Sequence, residues 1–230
     1  MGVDSSTQST KVEIRDADDG HVVAEGRAPH PPTTPPRSEQ DPNAWWDAFE
    51  HARSQTGGGP VDAIAVAGQQ HGLVVLGAAG EPLRPAKLWN DTESAADAQW
   101  LVDQLGGPAA WAAACGVVPV AAITITKLSW LHREHPDVFS RFAHVLLPHD
   151  YMTFRLTGEF VTDRGDASGT GYWSAREGEY RLDLLRLVDT DCDWAGALPQ
   201  VLGPTEARAA REGDAIVAAG TGDNMAAALG

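Results

Sequence analysis

The sequence is poor in cysteine, which limits the sites it can build. Cys115 and Cys192 are the only two cysteines among 230 residues. Neither belongs to a Cys-x-x-Cys pair or to a zinc-type spacing. A disulfide-stapled scaffold and a cysteine-ligated zinc site are therefore excluded, and we expect both thiols to be reduced.

Basic residues are also scarce. Lys and Arg together number 17 against 32 Asp and Glu, which gives a formal net charge of −15. A field of this sign repels nucleic acid and anionic membrane surfaces, so neither is an expected partner. Because the same field repels ATP, a nucleotide site here would depend on backbone donors, Mg²⁺ and a few local cations.

Long apolar stretches are missing as well. The chain contains no uninterrupted apolar run of about 18 residues, and no charged-then-apolar leader opens it. We therefore predict a cytoplasmic protein without a membrane segment. With 43% hydrophobic residues, the chain still has enough apolar content for a sizeable core.

Segments with strand and helix patterns alternate along the chain. Two strand-like runs on either side of Asp18-Asp19-Gly20 predict a hairpin, and Asp41-Pro42 predicts the start of a helix. The five prolines within residues 29–36 predict an extended connector. Further strands are expected at residues 61–67, 73–76, 83–89 and 144–147, and further helices at 93–105, 108–115, 126–135 and from 148 onwards. This alternation predicts an α/β domain with a mixed sheet.

The last eleven residues place a carboxylate at a strand-to-helix turn. A β-rich run at residues 215–219 leads into Gly220-Thr221-Gly222-Asp223-Asn224, and an alanine-rich helical segment follows. The glycines allow the backbone to approach a ligand closely. Asp223 lies where either a helix cap or a catalytic base would be found, and the turn alone does not separate the two.

Three further segments carry polar or aromatic groups suited to a ligand. The turn Gly68-Gln69-Gln70-His71-Gly72 could offer Gln70 and His71 to the hydroxyls of a neutral polyol, or it could be a solvated turn. Trp89 beside Asn90 and Asp91 suits a sugar pocket, although an isolated Trp more often packs in a core. The hydroxyl-rich loop from Asp4 to Lys11 holds one carboxylate and one ammonium, but such loops are often plain turns.

Taken together and in order, these segments resemble the amino-terminal domain of the FGGY carbohydrate kinases, most closely the xylulokinases of the actinobacterial type. The resemblance spans essentially the whole chain. The segments that carry it are Asp4 to Lys11, Gly68 to Gly72, Trp89-Asn90-Asp91, Lys127 to Leu131 with Glu134, Leu147 to Tyr151, Thr157-Gly158-Glu159, Asp163 to Thr170 and Gly220 to Asn224.

The resemblance implies a fold and a reaction. The fold would be the ribonuclease-H-like α/β domain of the actin/hexokinase-type ATPases, a mixed sheet flanked by helices. Residues 1–230 would form the amino-terminal domain that binds the sugar and carries the base, with the carboxy-terminal nucleotide-binding domain absent from this chain. The reaction would be ATP-dependent phosphorylation of D-xylulose to D-xylulose 5-phosphate, in pentose catabolism.

The resemblance also implies roles for single residues. Asp223 would be the general base, Asp4 would hold Mg²⁺ through water, and Lys11 would approach the γ-phosphate. The sugar would contact Gln70, His71, Trp89, Asp223 and Asn224, and the phosphates would meet the loop that contains Ser6, Thr7 and Ser9.

Other functions stay open at this stage. The chain could be a non-catalytic sugar-binding module or a truncated pseudokinase, or it could belong to a kinase for a related sugar such as D-ribulose. A metal-dependent sugar isomerase is disfavoured because the eight histidines are scattered and form no ligand spacing. A homodimer is possible.

Overall fold

A computed structural model describes residues 1–229 of the chain. The strands are β1 Gly2–Ser5, β2 Ser9–Arg15, β3 Val22–Pro29, β4 Glu39–Gln40, β5 Ala63–Gly68, β6 Val74–Leu76, β7 Ala86–Lys87, β8 His144–Leu146, β9 Val161–Asp163, β10 Trp173–Ser174, β11 Glu179–Tyr180, β12 Gln200–Leu202, β13 Ala207–Ala209, β14 Ile216–Ala218 and β15 Thr221–Gly222. The helices are α1 Pro42–Gln55, α2 Ala95–Leu105, α3 Pro108–Cys115, α4 Thr124–Glu134, α5 Pro136–Phe139, α6 Pro148–Thr157, α7 Arg164–Ala167, α8 Leu182–Leu185, α9 Trp194–Ala197 and α10 Asp223–Leu229.

One mixed sheet organises the domain. Its order is β13-β14-β5-β1-β2-β3, and β15 pairs with the carboxyl-terminal end of β5. The pairs β1/β5, β14/β5 and β15/β5 are parallel, whereas β1/β2, β2/β3 and β13/β14 are antiparallel. The predicted α/β architecture with a mixed sheet is therefore confirmed.

The two faces of the sheet differ because side chains alternate along each strand. On one face, Val3, Val12 and Val66 are buried in the main core with Trp45 and Phe49 of α1. Trp45 meets Tyr151 of α6 edge to face, with ring centroids 6.3 Å apart. The opposite face carries small and charged residues and opens into a groove of about 990 Å³.

A second hydrophobic cluster holds the helical part of the chain together. It joins α2, α3 and α4 through Leu101, Trp111 and Leu128, and it reaches Trp194 of α9. Trp111 is fully buried, and its indole N–H donates to the carbonyl of Leu101 at 3.0 Å. This cluster is separate from the main core, and its strand residues Val75 and Val145 belong to the β6–β8 pair rather than to the main sheet.

Local sequence patterns predicted several elements well. The predicted α3 has the observed bounds, and α1 begins after Asp41, whose carboxylate accepts the N–H of Asn43 at 2.9 Å. The hairpin of β2 and β3 is confirmed, and Pro29 is the last residue of β3 at the edge of the sheet, where the missing N–H is tolerated.

Other boundaries were wrong. The strand predicted at 83–89 is reduced to Ala86–Lys87, because Pro85 interrupts the run and Asp91 N–H turns back to the carbonyl of Leu88 at 3.2 Å. Helix α2 begins at Ala95 rather than at 93, and α4 runs two residues earlier at its start than predicted.

Candidate functional site

The carboxyl-terminal ends of three strands lie side by side in the sheet. Because β1, β5 and β15 run parallel, Ser5 lies beside Gly68, and Gly68 lies beside Gly222. The N–H of Gln69 donates to the carbonyl of Ser5 at 3.0 Å and extends this register past the end of β5. The end of β1 and the residues directly after β5 and β15 therefore lie close together. They contain the predicted site residues Asp4, Gln70 and Asp223, respectively.

The turn at Gln70 and the turn at Asp223 are joined by their side chains. The amide of Asn224 donates to Oε1 of Gln70 at 2.9 Å, although the two residues are far apart in sequence. Gln70 is 7% exposed, and its side chain lies directly over Gly222, where a Cβ would have no room. The structure thus brings together three of the predicted sugar-binding residues, Gln70, Asp223 and Asn224.

Asp223 is the first residue of α10, and its carboxylate is half-buried. Burial raises the pKa of this carboxyl, and the negative charges of Asp4 and Asp166 raise it further. The N–H of Asn224, which donates to Oδ1 at 2.8 Å, and the His71 ring act in the opposite direction. The result is a carboxylate with more proton affinity than a free Asp, which suits a group that accepts a proton from an alcohol.

His71 has an unusual backbone conformation. Its φ of +62° lies in the left-handed region, and it is the only non-glycine residue with positive φ within residues 1–229. Such strain is concentrated at functional sites. The ring Nδ1 is buried against Gly169 and has no hydrogen-bond partner among the described residues. Burial lowers the pKa of His71, with Asp166 partly opposing the shift, so the neutral ring can both donate and accept.

Trp89 connects the predicted sugar side to the predicted phosphate side. Its side chain is 47% exposed, far more than a core Trp. The indole N–H donates to Oγ1 of Thr7 at 2.9 Å, in the loop between β1 and β2. One ring therefore offers an open face to a ligand while its edge is fixed to the hydroxyl-rich loop.

Asp4 and Lys11 face each other across β1 and β2. Both line the groove on the open face of the sheet, together with Gly220 and Thr221. Burial raises the pKa of Asp4, and the positive charges of Lys11 and Arg27 partly offset this. The carboxylate oxygens of Asp4 are the hard ligands that Mg²⁺ prefers, and a single carboxylate is a common protein contribution to a magnesium site completed by water and phosphate.

Other predicted phosphate-side groups already have protein partners. Oγ of Ser9 accepts from Nε of Arg27 at 3.0 Å, and Nζ of Lys11 lies 3.3 Å from Glu13 and 3.7 Å from Glu25. Both the N–H and the hydroxyl of Ser6 donate to the carbonyl of Ser9, at 3.1 and 3.3 Å. The loop is therefore a closed turn stabilised from within.

Two clusters of three acidic or histidine side chains within residues 1–229 have a geometry that suits a metal ion, and neither contains Asp4. One is Asp16, Asp19 and His21 in the β2–β3 turn, and the other is Glu39, Asp91 and Glu93. The second group already surrounds the buried ammonium of Lys87, at 3.3, 2.9 and 2.6 Å respectively. Lys87 thus supplies the positive charge at that position.

Sequence reasoning assigned no role to the fully buried His149 or to Asp163 and Asp166 behind it. His149 is the second residue of α6 and lies beneath the ends of the site strands. Its position in Leu147-Pro148-His149-Asp150, directly after an apolar strand, was the available signal. A histidine there is expected to be buried and paired.

Lys127 is a second buried ionisable group near the site. It is fully buried, and its ammonium donates to the carbonyls of Ala121 and Ala122. Burial lowers the pKa of Lys127 to about 7, with Asp91 opposing the shift and Lys87 adding to it. These contacts close the loop before α4.

The model of the FGGY family of carbohydrate kinases, N-terminal domain, matches residues 1–230. The chain belongs to the FGGY family. As an FGGY amino-terminal domain it has the fold of the actin/hexokinase-type kinases, as the resemblance implied.

Xylulose kinases are among the similar proteins. The chain is 50% identical over 240 residues to the xylulose kinase of Streptomyces coelicolor and 47% identical over 240 residues to that of Streptomyces rubiginosus. Each match covers 100% of this chain and 49% of the relative. The chain therefore spans about half the length of the curated relatives it matches.

Solved structures agree with this assignment. The xylulose kinase from Bifidobacterium adolescentis has a TM-score of 0.91 at 38% identity, covering 99% of this chain and 54% of that one. Glycerol kinase from Plasmodium falciparum with ADP has a TM-score of 0.86 at 17% identity, covering 100% of this chain and 50% of that one, which shows the shared fold. No helix described in residues 1–229 is long and apolar enough to cross a membrane.

Proposed function

We propose that this FGGY domain belongs to an enzyme that phosphorylates D-xylulose with ATP to give D-xylulose 5-phosphate. The observation that carries the proposal is the convergence of Asp223, Gln70 and Asn224 at the ends of β5 and β15, held by the 2.9 Å bond from Asn224 to Gln70. The similarity to xylulose kinases over 100% of this chain supports the choice of sugar.

Asp223 acts as the general base in this proposal. Phosphoryl transfer through a loose transition state places little charge on the attacking oxygen until late in the reaction, so a carboxylate is basic enough to take the hydroxyl proton. Its half-buried position and raised pKa favour that transfer. In this geometry the carboxylate also orients the hydroxyl by accepting its hydrogen bond.

The sugar contacts combine neutral polar groups with one aromatic face. Gln70, His71 and Asn224 supply donors and acceptors for hydroxyls, and Trp89 supplies a flat apolar surface. Neutral groups suit an uncharged sugar, because a buried charge would have to be compensated by the ligand. The strained backbone of His71 fits a residue held in place for binding.

The phosphate side is proposed to be the loop between β1 and β2. Asp4 would hold Mg²⁺ through water, Lys11 would approach the γ-phosphate, and Ser6, Thr7 and Ser9 would line the phosphates. Mg²⁺, when bound, would neutralise phosphate charge, which matters in a chain of net charge −15. Adenosine contacts are proposed to come from residues outside this chain, since it spans 49% of its relatives. A cytoplasmic location and a homodimer remain predictions from the sequence.

Sugar-dependent release of ADP by the full-length enzyme tests the proposal. The assay compares D-xylulose, D-ribulose and glycerol at equal concentration with ATP and Mg²⁺, and calorimetric titration measures sugar binding in parallel. We expect the highest kcat/KM with D-xylulose. A preference for D-ribulose would reassign the substrate, and xylulose binding without any ADP release would favour a non-catalytic sugar-binding protein.

A further inference from the structure

His149 lies directly beneath two backbone segments of the site. Its side chain is fully buried. A Cβ placed on Gly68 would lie 2.6 Å from Cβ of His149, and one placed on Gly220 would lie 3.0 Å from its Cδ2. The Cβ and backbone of His149 therefore pack under the end of β5, and its imidazole lies under the turn that leads into β15.

Both ring nitrogens of His149 face oxygen acceptors. Nδ1 lies 2.7 Å from Oδ2 of Asp166, and Nε2 lies 3.2 Å from the carbonyl of Ala219 and 3.3 Å from Oδ1 of Asp150. The Ala219 carbonyl can only accept a hydrogen bond, and so can an ionised Asp166. Hydrogen bonds to both acceptors require an N–H on each ring nitrogen, and only the charged imidazolium has both.

The same network continues toward Asp223. Asp163 accepts the N–H groups of Gly165 and Asp166 at 2.7 and 3.0 Å, which fixes the first turn of α7. Oδ2 of Asp163 also accepts from the hydroxyl of Thr221 at 3.2 Å. Thr221 is in β15, two residues before Asp223, so α6, α7 and the turn before α10 are connected by hydrogen bonds.

We infer that His149 is a positioning residue for phosphoryl transfer: as a buried cation it holds the Ala219–Gly220 turn and the end of β5 in one arrangement, and so fixes Asp223 relative to Gln70. The inference rests on the proposed role of Asp223 as the base. His149 does not belong to the predicted sugar or phosphate contacts, and it acts through the backbone above it and through Asp166.

The rate is expected to depend on this residue more than sugar binding does. A base displaced by about 1 Å can lower the rate roughly 10²-fold. Gln70, His71 and Trp89 lie outside the turn that leads into Asp223, so we expect their sugar contacts to depend less on His149 than the alignment of Asp223 does. The signature is therefore a lower kcat with a nearly unchanged sugar KM.

Three variants of the full-length enzyme test the inference. His149→Gln keeps a hydrogen-bonding side chain but loses the charge, and His149→Lys restores the charge on a different shape. His132→Gln is the matched control, because His132 lies on the surface 3.2 Å from Asp189. For His149→Gln, we expect kcat to be roughly 10²-fold lower while the sugar KM changes less than about 3-fold. In His149→Lys, kcat should recover at least about 10-fold relative to His149→Gln. In His132→Gln, kcat should not change.

A fourth variant covers the case in which His149→Gln does not fold. Thr221→Val removes only the hydroxyl bond to Asp163, and we expect kcat to fall about 2-fold to 10-fold. Its control is Thr56→Val, which removes a hydroxyl bond to the carbonyl of Arg53 at the end of α1, and it should leave kcat unchanged.

The outcomes separate this inference from the proposed function. A normal kcat in His149→Gln, or a kcat in His149→Lys as low as in His149→Gln, would overturn the positioning role. If His149→Gln does not fold, an unchanged kcat in Thr221→Val would overturn it. Asp223→Ala, measured in the same series, tests the base itself, since a normal rate in that variant would refute the proposed function whatever His149 does.

Discussion

At the scale of single residues, the proposed sugar contacts are different side chains from the proposed general base. His71 holds a strained backbone conformation and a neutral ring, and Trp89 keeps an open aromatic face. Asp223 is a half-buried carboxylate close enough to the His71 ring for that ring to affect its pKa. Substitutions at these positions should therefore have different kinetic signatures.

For His71, we predict that His71→Asn raises the KM for D-xylulose without changing the KM for ATP. Asn tolerates positive φ, so the variant removes the imidazole while keeping the backbone at +62°. An unpaired sugar hydroxyl costs about 1 to 3 kcal/mol, which corresponds to roughly 5-fold to 150-fold in KM. Steady-state kinetics with each substrate varied in turn measures both values. A raised KM for ATP alone would place His71 on the nucleotide side.

For Trp89, we predict that the ring matters more than its hydrogen bond. Trp89→Ala should raise the xylulose KM about 5-fold to 30-fold, through loss of about 1 to 2 kcal/mol of aromatic contact. Trp89→Phe keeps a ring but loses the N–H bond to Thr7, and its KM should rise less than about 5-fold. Trp100→Ala is the control, because Trp100 is 44% exposed on α2. Equal effects in Trp89→Ala and Trp100→Ala would argue against a sugar contact.

At the scale of elements, helices with local sequence signals were predicted, whereas short strands that depend on long-range pairing were not. The capped start of α1 and the bounds of α3 follow from residues within a few positions, and both were predicted. Strands β9 and β12 were not predicted. They are three residues each and exist because they pair with each other, with Leu202 beside Asp163. Short strands of this kind carry too little local pattern to be recognised.

The turn at Gly220 connects β14 to β15 and offers a test at this scale. Gly220 has a φ of +74°, and a Cβ there would meet the carbonyl of Val66. We predict that Gly220→Ala lowers the free energy of unfolding by more than about 2 kcal/mol and also lowers kcat. Gly57→Ala shares a positive φ of +86° but meets no atom within 4 Å, so it should cost only about 1 to 2 kcal/mol. Urea unfolding compares the two, and equal losses would show that the contact with Val66 is unimportant.

At the scale of the whole molecule, the site was partly predictable from the sequence. The convergence of Gln70, Asp223 and Asn224 follows from motifs whose order resembles the FGGY kinases. The ion network of the buried His149 and Asp166 with the partly buried Asp163 was not predicted, because its members come from α6, β9 and α7 and meet only after the chain has folded. The sequence shows their residue types but not that they lie together in the folded chain.

The ion network predicts how stability depends on pH. The carboxylates around His149, with Asp150 contributing most, outweigh burial and raise its pKa to about 10, above the ordinary value of 6.5. The stability gained from the charged ring is therefore complete below about pH 6.5 and is lost as pH rises through 10. Lys127, whose pKa is lowered to about 7, changes stability in the opposite direction over this range. The contribution of His149 is therefore best measured as the difference in unfolding free energy between wild type and His149→Gln.

We predict that this difference in unfolding free energy shrinks as pH rises from 7 to 10. Asp150, whose pKa is raised to about 7 mainly by burial, is ionised over most of that window and contributes little further change. Urea unfolding of both proteins at several pH values measures the difference. A difference that stays constant from pH 7 to 10 would mean that His149 is not charged in the folded protein.

The most direct test of the central claim is the rate of Asp223→Ala in the full-length enzyme, measured as xylulose-dependent ADP release and compared with xylulose binding by calorimetry. If Asp223 is the general base, kcat should fall roughly 10²-fold to 10⁴-fold while the affinity for xylulose changes far less. A near-normal kcat in a folded variant that binds xylulose would contradict the claim and leave Asp223 as the first residue of α10 without a role in proton transfer.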